Sequence, residues 1–336
     1  MPSTSIRKSK VFASILPSKK FIQLILPLAA LILCCPAGTP SEPIAVPGWR
    51  LLASPEYLWP ADGAIYYSFT TGGSTKVHLV VINIGSGNWK VRPAINTVNI
   101  PTSSCAEKSS SSAAINGGYF NLSDGLSASY VVIDGKQVTD PASNQALVDN
   151  PKLKPFLPAI LNRSELRVLA DRAGALTLQI AAHNDPIPAA LTLVHSLQAG
   201  PRLLPNLTSK QEAFVRKGFD GKDVDGISSM KPAARTAIGI TPDGYFMLLC
   251  AASTKQDPES HGLTLSELAE LLKSLGCSEA LNLDGGTSTT MFIRTATPRE
   301  HRQSQMPIGH TVCGRTPETH VKSVLLLQKA KVPDPN

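Results

Sequence analysis

The chain has 336 residues, 42% of them hydrophobic and 17% charged, and a formal net charge of +7. That composition excludes a disordered chain and supplies enough apolar residues for one large domain or two small ones. Arg7, Lys8, Lys10, Lys19 and Lys20 all precede the first acidic residue, Glu42, and without these five the net charge falls to +2; no Lys/Arg stripe is interleaved with aromatics, which argues against a nucleic-acid partner.

Those cations lead into residues 21–33, an apolar run interrupted only by Gln23 and Pro27 and followed by small and turn-forming residues. This order is the layout of a secretory signal peptide, and the run is short for a spanning helix, which needs about 20 residues. Residues 1–37 are expected to be a signal peptide or N-terminal anchor, with cleavage near Ala37, and 38–48 a Pro-rich linker. The expected location is outside the cytoplasm: periplasmic, secreted or, with the leader retained, attached to a membrane. Cys105, Cys250, Cys277 and Cys313 lie beyond the leader. Four cysteines admit two disulfides, while the apolar neighbours of Cys250 and Cys277 suit buried thiols equally well.

Strands are expected at 65–70 and 76–84, with a turn at Gly85 to Gly87 and an extended piece from Trp89 ending at Pro93. The Ser-rich stretch 103–112 reads as a short helix or a loop. A small-residue strand then runs through Ala113, Ala114 and Ile115 into Asn116, Gly117 and Gly118. Asp134 and Gly135 mark a hairpin between apolar flanks. A surface excursion at 140–158 is followed by a hairpin at 166–182 and a strand near 191–197. Residues 209–219 are expected to form a short helix. Asp220, Asp223 and Asp225 sit among glycines but lack the alternating frame and closing Glu of a calcium loop. Residues 235–240 and 245–252 form the clearest hairpin, turning at Asp243 and Gly244. The clearest helix follows, with a Thr264/Glu267 capping box, an apolar face of Leu265, Leu268, Leu272 and Leu275, and Gly276 as its stop. It leads into a buried strand at 280–283, a strand at 291–295, a polar stretch at 296–318 and a last buried strand at 321–327. The expected fold is α+β, with mixed, largely antiparallel β-sheets and a few helices in a single domain over 49–328, ahead of a tail at 329–336.

The strand at 280–283 stops on Asp284, then opens into Gly285 and Gly286 and the hydroxyls of Thr287, Ser288, Thr289 and Thr290. A carboxylate on a rigid strand end beside two glycines suits catalysis, because the glycines let the backbone turn and leave N–H groups to meet an anion. Taken alone, Asp-Gly-Gly is equally ordinary turn chemistry.

Three motifs occur in a fixed order: Ala114, Ile115, Asn116, Gly117, Gly118, Tyr119, Phe120; then Arg235, Thr236, Ala237, Ile238, Gly239; then Asn282, Leu283, Asp284, Gly285, Gly286. Together with Ala199 to Leu203, this resembles the phosphodiester glycosidase family over roughly Val77 to Leu327. The resemblance implies an exported glycosidase that hydrolyses the sugar C1–O bond of an N-acetylglucosamine-1-phosphodiester-like substrate, in envelope or exopolysaccharide metabolism, without a cofactor or a metal. Two departures stand out. Asn121 replaces an aspartate usual in the family, and Gly285, Gly286, Thr287, Ser288 and Thr289 replace a Gly-Gly-Gly-Ser-Ser run.

Glycoside hydrolysis ordinarily needs two carboxylates. A sugar-1-phosphodiester releases a phosphate monoester whose second pKa is about 6, so one carboxylate and a phosphate clamp suffice. On that basis Asp284 is expected to act as nucleophile or base, Arg235 as the bidentate phosphate partner, and Asn116 as the holder of a sugar hydroxyl or the phosphate. Substrate contacts are expected from Gly117, Gly118, Tyr119, Thr236, Gly285, Gly286, Ser288, Thr289 and His183. Each has a structural alternative: Asn116 in a turn, Arg235 paired with Asp284, His183 as a hydrogen-bonded structural histidine. The competing function is a non-catalytic envelope protein that binds polysaccharide or assists its export. A metal-dependent phosphodiesterase cutting P–O would need clustered Asp/His ligands, and the seven histidines are scattered.

Overall fold

The computed structural model describes residues 48–52, 57–59, 63–295 and 308–330, and the expected leader at 1–37 lies outside them. The strand Thr75–Asn83 reads as an unbroken apolar run because both of its faces are covered: Val77, Leu79 and Val81 face one cluster of buried side chains, and Val80 and Ile82 face another. The same two-residue alternation divides Met247, Leu249 and Ala251 from Phe246, Leu248 and Cys250 on its neighbour, Tyr245–Ala251. These strands belong to a seven-stranded sheet in the order Tyr57–Trp59, Ala64–Thr71, Thr75–Asn83, Tyr245–Ala251, Arg235–Ile240, Glu279–Asn282, Arg202–Leu204.

One face of that sheet packs on the helix Leu265–Ser274, whose capping box is formed as expected and whose Leu265, Leu268 and Leu272 are buried. The other face shares the largest core with two five-stranded sheets. The first of these runs Lys136–Thr139, Val131–Ile133, Thr192–Gln198, Ser164–Ala170, Leu176–Ala182; the second runs Ile308–Cys313, Met291–Thr295, Ala113–Asn116, Val321–Lys329, Trp89–Ile100. The second sheet is covered outside by the short helix Thr102–Lys108, through Cys105, Ala106, Phe292, Val324 and Leu326. Every strand pair among the described residues is antiparallel. No helix among them is long and apolar enough to cross a membrane. All four cysteines beyond the leader are buried free thiols, so of the two expectations the disulfides are not formed.

Three local expectations are corrected. The strand expected to stop at Pro93 continues to Ile100, because it is the sheet edge and proline's missing N–H faces no neighbour. Residues 209–219 form no helix. The buried Glu212 carboxylate there accepts from the Ser164 hydroxyl (2.8 Å), the Ser164 amide (3.2 Å) and the Arg202 amide (3.1 Å), which ties the segment down as turns. It then enters a hairpin, Val215–Lys217 against Asp223–Asp225, and the aspartate-rich stretch forms its tip and return strand. The polar stretch before Val321 contains a further strand, Ile308–Cys313.

Candidate active site

The Asn-Gly-Gly and Asp-Gly-Gly turns end strands in two different sheets and clasp each other. Asn116 is fully buried; its Nδ2 donates to the Asp284 carbonyl at 2.6 Å, while its Oδ1 accepts from Thr236 Oγ1 at 2.7 Å and from the Thr290 amide at 3.1 Å. The Asp284 amide donates to the Gly117 carbonyl (3.1 Å) and the Leu283 amide to the Thr236 carbonyl (2.8 Å). Asp284 is thus held at both ends of its own backbone, which fixes where its carboxylate points. Gly118 is required by crowding: a Cβ there would lie 2.4 Å from the Gln198 carbonyl oxygen and 2.6 Å from Ser129 Oγ. Gly286 sits in the left-handed region at φ +61° and begins the short turn that brings Ser288 back toward the carboxylate.

The Asp284 carboxylate is half-buried, in the wall of a cleft of about 270 Å³ lined also by Tyr119, Ile227, Ser228, Arg235, Asn282 and Gly286. Burial pushes its pKa up to about 6, against the hydrogen bonds from the Ser288 side chain and the Gly285 amide (3.0 Å), which favour the charged form. Tyr119 turns its hydroxyl inward, donating to the Gly200 carbonyl at 2.9 Å and accepting from Asn282 Nδ2 at 3.0 Å. Burial raises the pKa of that phenol, so it stays neutral as part of the wall.

Arg235 is buried at the cleft's edge, with its guanidinium engaged by carbonyls: Nε with Leu263 (2.8 Å), Nη1 with Ile227 (3.0 Å), Nη2 with Ser228 (2.7 Å) and Lys231 (2.9 Å). The open bidentate fork expected for phosphate is therefore not present. One Nη1 N–H remains, and the charge is held in place by a loop that it organises in return. No ion pair joins Arg235 to Asp284 among the described residues.

A family model described as phosphodiester glycosidase matches residues 109–327, a span that contains both turns, Arg235 and the cleft. The chain belongs to the phosphodiester glycosidase family. The fold agrees with that membership. A hypothetical protein from Synechocystis superposes with a TM-score of 0.54 at 16% identity, covering 82% of this chain and 64% of that one. The zebrafish N-acetylglucosamine-1-phosphodiester alpha-N-acetylglucosaminidase catalytic domain, auto-inhibited by its pro-peptide, superposes with a TM-score of 0.51 at 16% identity, covering 80% of this chain and 83% of that one. No curated protein sequence matches the chain.

Within this phosphodiester glycosidase family member, several expected substrate contacts fall elsewhere. The Gly117 and Gly118 amides are not free for an anion; they donate to the Ser323 carbonyl (2.9 Å) and to Ser323 Oγ (3.0 Å). The Gly286 amide likewise donates to the Ala234 carbonyl at 2.8 Å. Thr236 is buried against Asn116, and Thr289 is buried with its hydroxyl lacking a partner among the described residues. His183 does not line the cleft; its Nδ1 bonds Glu165 Oε2 at 2.9 Å and its ring stacks on Tyr130 at 3.8 Å. Asn121 forms a surface turn with Ser123 and Asp124, so the Asn-for-Asp departure takes no carboxylate from this cleft. Among the described residues no group of His, Cys, Asp or Glu side chains is arranged to hold a metal ion.

Two residues without an assigned role gain a place. Asn282 lies in the cleft wall with Nδ2 shared among Tyr119, Gly200 and Leu283 and Oδ1 left without a partner among the described residues. Its signal was its place at the end of the strand Glu279–Asn282, two residues before Asp284. Arg163 carried no sequence signal. Its guanidinium lies 3.7 Å from the Phe214 ring centroid and 5.9 Å from that of Tyr119, with Nε bound to the Glu212 carbonyl, and burial lowers its pKa to about 10.

Proposed function

We propose that the protein hydrolyses the C1–O bond of a sugar-1-phosphodiester of the N-acetylglucosamine-1-phosphodiester type, with Asp284 as the reacting carboxylate. The observation that carries this reading is the Asp284 carboxylate itself: fixed by two interlocked turns, half-buried in a cleft wall, and with a pKa of about 6. At neutral pH such a group is mostly ionised, yet basic enough to act as a nucleophile toward C1 or as a base for water. The departing group is a phosphate monoester and needs no strong general acid. Arg163 and Arg235 both act electrostatically on Tyr119 and so place positive charge beside the cleft, where the leaving phosphate gains negative charge. The Asn282 amide is a partner for a sugar hydroxyl.

The basic, apolar and Pro-bearing order of residues 1–37 supports export, and with it a substrate in the envelope or outside the cell. The test is to incubate a chain starting near Gly38 with UDP-N-acetylglucosamine and with the methyl phosphodiester of N-acetylglucosamine 1-phosphate. Free N-acetylglucosamine and the matching phosphate are expected from the parent, and neither from Asp284→Asn. Binding of both compounds with no turnover would instead favour the non-catalytic envelope role.

A further inference from the structure

A second cleft, of about 620 Å³, lies against the hairpin Val215–Lys217/Asp223–Asp225. Its lining combines three cations, Lys152, Arg216 and Lys217, with two aromatic rings, Phe156 and Phe219, and a single carboxylate, Asp220. Phe219 is 74% exposed and Val224, on the same wall, 36% exposed. Large apolar side chains left open beside a concave surface mark a site that another molecule covers. Its charges are unevenly committed. Lys217 pairs with Asp223 at 2.9 Å, and Asp220 lies 3.8 Å from Lys222. Arg216 donates from Nη1 to the Ala213 carbonyl at 3.1 Å, and its other nitrogens have no partner among the described residues.

This cleft is joined to the Asp284 cleft through the hairpin. After its return strand the chain reaches Gly226, which lines the Asp284 cleft, and a Cβ on Gly226 would sit 3.7 Å from Arg216 Nη1. The Gly226 amide donates to the Phe214 carbonyl at 2.9 Å, and the Phe214 ring lies 5.3 Å from that of Tyr119 and under Arg163. Arg216 in turn lies 5.6 Å from the Phe156 ring. Arg163, over the Phe214 and Tyr119 rings, and Arg216, over the Phe156 ring and close enough to act electrostatically on Arg163, place two cations between the Tyr119 wall of the Asp284 cleft and the apolar one.

We infer that the second cleft binds the apolar chain of an alkyl phosphate, so that the substrate's aglycone is an anionic amphiphile, with its phosphate at Arg163 and Arg216 and its chain against Phe156, Phe219 and Val224. This rests on the reading of Asp284 as the carboxylate of a phosphodiester glycosidase. The chemistry is complementary on both counts: guanidinium forks suit phosphate oxygens, and the rings and Val224 suit an aliphatic chain.

The test uses octyl phosphate, measured by titration calorimetry on a chain starting near Gly38. Octyl phosphate is expected to bind at least tenfold more tightly than octyl glucoside, which has the same chain without charge, and than inorganic phosphate, which has the charge without the chain. Phe219→Ser, a change at an exposed position, and Arg216→Ala should each weaken octyl phosphate at least tenfold. In turnover, the octyl phosphodiester of N-acetylglucosamine 1-phosphate should exceed the methyl phosphodiester in kcat/KM by tenfold or more. Phe219→Ser should erase that preference while leaving the methyl compound unchanged. Equal turnover of both compounds without octyl phosphate binding overturns the inference and leaves the reaction standing. Octyl phosphate binding with no hydrolysis of either overturns the reaction and upholds the ligand class. Sedimentation with anionic phospholipid vesicles, without binding of monomeric octyl phosphate, would assign the surface to a membrane and overturn the inference.

Discussion

At the scale of single residues, Asp284 has a pH signature that separates chemistry from scaffolding. Its folded-state pKa of about 6 is raised by burial, so kcat/KM should climb with pH through a midpoint near 6 as the reacting carboxylate forms. Ser288→Ala removes a hydrogen bond to the charged form and should move that midpoint upward. The stability consequence has the opposite sense. A carboxyl whose pKa is higher folded than unfolded stabilises the fold below its unfolded pKa of about 4, and that contribution is lost as pH rises through about 6. Asp284→Asn should therefore be inactive but at least as stable as the parent at neutral pH, by roughly 1–2 kcal/mol after allowing for partial exposure, with the gap closing toward pH 4. Denaturant unfolding at the two pH values measures it, and a variant destabilised at both would make Asp284 a turn carboxylate.

Arg235 carries a different expectation. Arg235→Lys keeps a charge but cannot span four carbonyls, so the loop from Ile227 to Lys231 loosens; a loss of roughly 2–3 kcal/mol is expected. Activity should then fall equally on a phosphodiester and on a neutral aryl glycoside. A loss confined to the phosphodiester at unchanged stability would show the last Nη1 N–H to be the phosphate donor.

At the scale of elements, the site is a junction of turns, and its tolerance is set by how closely they approach. Gly118→Ala forces a Cβ onto the Gln198 carbonyl and is expected to cost roughly 2 kcal/mol or more, with thermal unfolding as the readout; a neutral outcome would mean that the turn can open. Which elements exist was largely legible: apolar runs and, at 176–182, alternation gave the strands, the Thr264/Glu267 box started the long helix, and Asp134 and Gly135 turned a hairpin. The partners at the turns were not. The Gly117 and Gly118 amides read as free anion donors because Ser323, which takes both, lies some 200 residues along the chain. The Arg235 fork read as open for another reason: its partners are the backbone carbonyls of Ile227, Ser228, Lys231 and Leu263, and a carbonyl leaves no mark in residue type. Residues 209–219 read as a helix because Glu212 gives no local sign that Ser164 and Arg202 hold it.

At the scale of the whole molecule, three antiparallel sheets share one core, and the two interlocked turns lie where strands of two of them end together. That placement explains why the motifs sit so far apart in sequence. The strand ending at Asn116, the strand beginning at Arg235 and the strand ending at Asn282 each bring one motif to the junction. The central claim is that Asp284 directs cleavage between C1 and oxygen rather than between phosphorus and oxygen. The most direct measurement is hydrolysis of the methyl phosphodiester of N-acetylglucosamine 1-phosphate in water enriched in heavy oxygen. The released phosphate is read by phosphorus NMR, since the anomeric hydroxyl of the free sugar exchanges with water unaided. Methyl phosphate without label, formed by the parent and absent with Asp284→Asn, is the expected result. Heavy oxygen incorporated into the phosphate would contradict it.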